Sequence, residues 1–417
     1  MIDLLHYVWQ HKLFASQSLI TTQQIPVEVI NPGQHQNENE ALFHLARVRI
    51  GAIEKIGSVK IAETSDEVSC LDNTIILCVV KVCTAPIYRS NGEELPQLVL
   101  RVPPRLANSA KKLLSTTHIP ACGSYIPKQT KLEVHSWLTY LLIERLEEKV
   151  SRIEQLLQCK KYHWSDLFFI TLARSFGFGR MGNLLEEWAK SLPYRALDKH
   201  KDALFQLEAL FLGIGGLLDT SSDCAYLAKL QDEFHFLSTK FSLAVNEHTW
   251  VNKKPKPGQY PYVSLAQLAW FYSHQSALCD QVIHVNTLDE CYELLSFKTS
   301  KYWEEHICFG KATIHRTKEQ SKKAKDLLVI NAIVPFIYAY GKHQANEELQ
   351  RKALDLLTQV KPEYNYITRL WHQVHVTAEN SADSQALIQL QKCYCDKKRC
   401  LACRFGYAYL RNAILSD

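Results

Sequence analysis

Four cysteines stand close together near the C-terminus: Cys393, Cys395, Cys400 and Cys403. Soft sulfur ligands converging on one centre are what zinc or an iron–sulfur cluster needs. All four lie on one short segment, whereas a zinc finger draws half of its ligands from a second one. Free thiols packing a final helix and turn are the alternative to a metal. Lys397, Lys398 and Arg399 lie among them and would lower thiol pKa values, so reactive thiols are a third use of the same residues.

Three basic stretches could meet phosphates. Trp250 to Tyr262 mixes Lys253, Lys254 and Lys256 with three aromatics and three prolines. Residues 301–325, which include Lys322 and Lys323, hold seven Lys/Arg against three Glu, and residues 391–417 hold six against two Asp. Lysines neutralise phosphates and aromatic rings stack on bases, so these mixtures suit nucleic acid. Three separate solvated patches are the bland alternative.

Acids cluster in the N-terminal part: Glu28, Glu38, Glu40, Glu63, Asp66, Glu67 and Asp72. Metal-dependent phosphodiester hydrolysis needs two or three carboxylates on Mg²⁺, usually with a lysine, and Lys60 is near. Solvated acids on loops and strand ends are the reading that the sequence favours. There is no Walker loop, GxGxxG, HExxH or GxSxG, and the 17 histidines form no ligand pattern. Gly213-Ile214-Gly215-Gly216 sits inside an apolar helical run, which suits helix packing better than phosphate binding.

The elements that must hold these residues divide the chain. Period-two alternation in Ile25–Ile30, Ala46–Ile50 and Val59–Ala62 predicts half-buried strands. Ile75 to Val80 is apolar without a break, as in a central strand, and Leu98, Leu100 and Val102 make a fifth. Residues 1–14 predict a helix, with Trp9 anchoring it on the sheet. Beyond Pro103-Pro104 roughly ten helices are expected. They include 132–157, one from Ser165-Asp166 as its N-cap region, and 200–218, 225–243, 263–279, 288–306, 324–340 and 344–360. The fold class is α+β: an N-terminal mixed sheet with flanking helices, then a large irregular helical domain. A boundary in the loop 116–128 gives a β-rich domain over 1–120 and a helical domain over 121–417 that ends in the cysteine segment.

The chain has 417 residues, 47% apolar and 22% charged, with a formal charge of +5. Residues 1–127 balance at 11 Lys/Arg and 11 Asp/Glu, so the excess is expected to lie in the helical part. Met1-Ile2-Asp3 opens without a basic start or an apolar run, so no secretory signal is expected. Thirteen cysteines, an odd number, then fit reduced thiols in a cytoplasmic protein. The longest apolar stretches, Ala209–Leu218 and Leu327–Tyr340, fall short of the ~20 residues that span a bilayer. They read as buried helices, with no membrane partner.

The whole chain resembles an uncharacterised bacterial family, a domain of unknown function. The resemblance lies in Leu5-His6-Tyr7-Val8-Trp9, Asn31-Pro32-Gly33, Arg174–Phe178, Leu207–Gly213, Tyr260–Ala269 and Ile330–Pro335, and ends on Cys395, Cys400, Cys403 and Gly406. Typical members carry Gly-Pro-Asp-Phe, then a Val-Glu-Ile-His strand, a Trp/His-rich loop and a Leu-His-Val-Val strand. That acid pattern is similar to a restriction-endonuclease-like metal site. Here Glu40-Ala41-Leu42-Phe43, Val59-Lys60-Ile61-Ala62 and Leu77-Cys78-Val79-Val80 stand instead. Leu42, Lys60, Ala62 and Cys78 thus occupy degenerate motif positions. A leucine cannot coordinate Mg²⁺, and a lysine puts positive charge where the metal would sit. The resemblance therefore implies a nuclease-like pseudoenzyme, a non-catalytic protein that acts by binding nucleic acid. An active metal-dependent nuclease with a rearranged site, and a structural or protein-interaction module, are the alternatives.

Overall fold

The computed structural model describes residues 4–14, 18–35, 41–68, 72–117, 120–126, 129–159, 161–179, 181–243 and 261–415. The N-terminal sheet has five strands in sequence order: β1 (Val27–Asn31), β2 (Leu42–Ile50), β3 (Ile53–Thr64), β4 (Ile75–Val82) and β5 (Gln97–Val99). β1, β2 and the first half of β3 are antiparallel, while the second half of β3, β4 and β5 run parallel. The sheet is therefore mixed, and the fold is α+β as its pattern predicts. β2 and β3 are longer than their alternation suggests, because Gly51 (φ +63°) closes a tight turn that lets both strands extend to it. The outward arginines of β2 are paired: Arg49 with Glu28 and Glu54, Arg47 with Glu54. β4 is buried on both faces from Ile75 to Val80.

Helix α1 (Leu4–Gln10) buries Leu5, Tyr7, Val8 and Trp9. Trp9 does anchor it: its indole N–H donates to the Pro32 carbonyl at 3.0 Å. That carbonyl lies in the Asn31-Pro32-Gly33 turn, where the Asn31 side chain accepts from the Gly33 N–H at 3.0 Å. Gly33 has φ +92°, and a Cβ there would stand 2.7 Å from the His44 carbonyl, so only glycine fits.

The chain forms two compact units. The first is Met1–Trp137 with Leu370–Val376 and Leu390–Asp417; the second is Leu138–Arg369 with Thr377–Gln389. This differs from a cut near residue 120 with everything beyond it helical. In the first unit, helix α2 (Pro104–Ser115) packs with the last helix, Arg404–Leu415. Trp137 meets Tyr394 edge-on at 5.5 Å and Trp371 meets Phe405 at 6.0 Å. The cysteine segment thus belongs with the sheet, and the division falls inside helix α3 (Lys131–Gln158) rather than in the loop before it.

The second unit is helical around a core that includes Phe168, Phe169, Trp188, Phe211, Phe271, Phe297, Trp303 and Phe336. Several expected helices are interrupted. The segment 263–279 splits at Ala277, which has φ +49°. The segment 288–306 becomes Leu288–Leu294 and Lys301–Glu305, followed by a small hairpin, His306–Cys308 with Lys311–Ala312. The helix expected from Ser165 begins at Trp164 after an N-cap at His163; Asp166 lies one turn in, accepting from the His163 N–H at 2.9 Å. Gly213 is a packing glycine, as its apolar run suggests: a Cβ would meet the Phe234 ring at 2.3 Å. Lys322–His343 is long and apolar enough to cross a membrane by length and composition, and 67% of its apolar window is buried within the protein.

Candidate functional site

The sheet gathers Leu42, Lys60, Ala62 and Cys78, the four positions singled out by the resemblance. Leu42 pairs with Lys60 across β2 and β3, and Lys60 pairs with Cys78 across β3 and β4. Ala62 lies two residues further along β3, opposite Val80. Paired residues, and residues two apart on a strand, share a face, so all four stand on one side of the sheet. That side is apolar. Ile75, Cys78, Val80, Ile87 and Leu95 are buried together, and Leu42, Ala62 and Val68 pack against them. Burial pushes the Cys78 thiol up to about 12, with the Lys60 charge pulling the other way. Glu63 does not substitute for an acid here. It alternates to the other face, where Lys81 meets it at 2.8 Å. Asp66 and Glu67 follow in an exposed turn, and Glu38 and Glu40 lie outside the described residues.

The cysteines are brought together differently from their order in the sequence. A small cavity of about 20 Å³ in the first unit, room for roughly one water, is lined by Cys395, Cys400 and Cys403 but not by Cys393. The fourth sulfur is that of Cys122, from the turn after α2. Leu113, Trp371 and Leu390 make much of the remaining wall. As free thiols these residues are held neutral: burial pushes Cys122 up to about 12 and Cys403 up to about 11, and raises Cys395 and Cys400. The backbone N–H groups of Phe405 and Gly406 oppose that rise at the Cys403 sulfur. As the side chains stand, no group of three or more His, Cys, Asp or Glu among the described residues is arranged to hold a metal ion. Cys122 was legible only as a Pro-Ala-Cys-Gly turn far from its partners in sequence.

Of the basic residues, Lys253, Lys254 and Lys256 lie outside the described residues. Lys322 and Lys323 are exposed in the first turn of a helix capped by Ser321, whose Oγ accepts from the Ala324 N–H at 3.2 Å. Lys322 lies over the Tyr292 ring at 5.4 Å. The chain leading to them, residues 311–317, is exposed throughout and carries Lys311 and Arg316.

Two further charged places in the second unit are self-contained. An open cleft of about 430 Å³ holds Arg174 and Glu186. Arg174 donates to Glu186 and to Asn183, the latter at 2.8 Å, and Lys190 meets Glu186 at 2.9 Å. Burial opposes the charge on Glu186, but Lys190 and Arg174 hold its carboxyl below the ordinary value. Lys149 donates to the Ile330 carbonyl (3.2 Å), Asn331 Oδ1 (3.0 Å) and Gln385 Oε1 (2.8 Å). Burial brings its pKa down to about 7. Both groups satisfy hydrogen bonds within their own unit, so each has a structural role without a ligand.

The fold and these positions define an α+β protein with an apolar sheet face and a cysteine-lined cavity. The chain belongs to the family described as protein of unknown function, DUF2851, whose family model matches residues 3–366. The cysteines from Cys393 onward lie beyond the matched residues. No curated protein and no solved structure matches the chain.

Proposed function

We propose that this protein is a non-catalytic member of its family, nuclease-like in its sheet, that acts by binding nucleic acid. The observation that carries the reading is the row Leu42–Lys60–Cys78. Hydrolysis of a phosphodiester through Mg²⁺ needs converging carboxylates open to solvent. This row offers an aliphatic chain, an ammonium and a buried neutral thiol, packed under Ile87 and Leu95. The binding half of the proposal rests on the exposed basic run around Lys311, Arg316, Lys322 and Lys323. It rests also on the basic C-terminal segment.

The test is fluorescence anisotropy with single- and double-stranded DNA and RNA, in a salt series with Mg²⁺ present. The expected result is binding that weakens steeply with salt, because bound cations displace phosphate counterions, with every probe intact at the end. Shortened probe would overturn the non-catalytic reading. No binding at low salt would overturn the nucleic-acid reading.

A further inference from the structure

We infer that Cys122, Cys395, Cys400 and Cys403 form one thiolate metal centre that takes zinc or an iron–sulfur cluster. The four residues line one cavity. Three come from a Cys-x₄-Cys-x₂-Cys run, Cys395 to Cys403, and the fourth from a remote segment. Iron–sulfur proteins divide their ligands in this way, and zinc sites likewise draw ligands from two segments. The sequence segment alone lacked that second source, and Cys122 supplies it.

The surroundings suit sulfur ligation. Leu113, Ala121, Trp371 and Leu390 offer a cation nothing, and Lys398 is turned to the Thr116 carbonyl. N–H donors on the Cys403 sulfur are the kind of outer contact that settles a metal-bound thiolate. Gly406 lets the segment fold this tightly: a Cβ on it would stand 2.0 Å from the Cys400 carbonyl. As free thiols the four do not form a closed shell. On binding, each gives its proton to solvent and the sulfurs draw in around the cavity. Metal affinity then adds to the stability of the first unit, because the ligands come from segments far apart in the chain.

Metal content of the full chain, purified without oxygen, tests this. The expected result is about one centre per chain. Zinc without colour marks a single ion, and iron with equal acid-labile sulfide and visible absorption marks a cluster. Cys122→Ser loses the metal and Cys393→Ser keeps it. A second measurement needs no variant: chelation should expose the four named thiols to a thiol reagent. A metal-free wild type that also gives no thiolate charge-transfer band with added Co²⁺ overturns the proposal. So does Cys122→Ser holding as much metal as the wild type.

Discussion

Lys149 shows what one buried side chain demands of its neighbours. The residue is half-buried overall, and it is the ammonium, ringed by three uncharged oxygens, that is shielded. Burial is the main cause of its lowered pKa and Arg145 adds to it, while Glu363 and Glu148 oppose. The pH dependence follows from proton counting. Between about 7 in the fold and the ordinary 10.5 when unfolded, the unfolded chain binds more protons. Stability contributed by this group therefore rises with pH across that window, and below it the folded lysine is charged at a cost. Lys149→Met leaves the Ile330 carbonyl and Asn331 Oδ1 without their donor, an expected loss of about 1–3 kcal/mol at pH 8 in urea unfolding. The wild type should also gain on the variant as pH rises from 7 towards 10. Parallel pH profiles would mean that Lys149 is charged in the fold. A second residue makes a purely steric point. Gly406→Ala forces a methyl into the Cys400 carbonyl, and an overpacking cost of about 1–3 kcal/mol is expected. Thermal unfolding reads it, and a variant as stable as the wild type would show that the Cys400 turn can give way.

At the scale of elements, the sheet face and the π segment carry the argument. Pro335 has no N–H for the Asn331 carbonyl and its ring crowds that carbonyl. Val329–Ile333 accordingly opens into a π turn within Lys322–His343, and this is where Lys149 docks. The family-like stretch Ile330–Pro335 thus reads as architecture. In the sheet, β4 sets how much charge the motif row tolerates. Cys78→Asp places a carboxylate at a fully buried site, with the Lys60 ammonium its nearest cation in the row. An unpaired buried charge costs about 3–5 kcal/mol, and urea unfolding should show a loss of that order for Cys78→Asp but a small one for Cys78→Val. Full stability of the aspartate variant would mean that the face opens to water, as an active site would. The strands were legible because alternation is a local signal, and Ile75–Val80 declared itself by having none. The helix breaks at Ala277 and before the hairpin at His306 were not legible. There the apolar spacing resumes beyond Gln275-Ser276 and beyond Lys298-Thr299-Ser300, so the period reads on while a backbone turn interrupts the helix. Asp166 was recognised as a start signal but one turn out of register, since an acid serves both at the cap and at the third position. Cys395, Cys400 and Cys403 were legible from spacing. Cys122 was not, because only the folded chain places it beside them.

Charge is a property of the whole molecule, and the two units share it unequally. The second unit holds 29 Lys/Arg and 29 Asp/Glu, and the first holds 19 and 14, so the entire +5 belongs to the first. In chain order the excess falls late only because the basic C-terminal segment comes last. A neutral unit can still present a local basic run, and Lys322 and Lys323 are such a run. The proposed nucleic-acid binding therefore has two candidate sources of cations, one general to the first unit and one local to the second. Neutralising pairs separates them. Lys322→Gln with Lys323→Gln removes two exposed charges from the local run, and Lys397→Gln with Arg411→Gln removes two from the C-terminal segment. Each phosphate contact contributes roughly one to the slope of log affinity against log salt. A pair that touches the backbone should flatten that slope by about two, and one that does not should leave it unchanged. If both pairs flatten it, each unit contributes phosphate contacts of its own. If neither does, the basic stretches are solvent-facing charge, and an interaction with another protein becomes the reading to pursue.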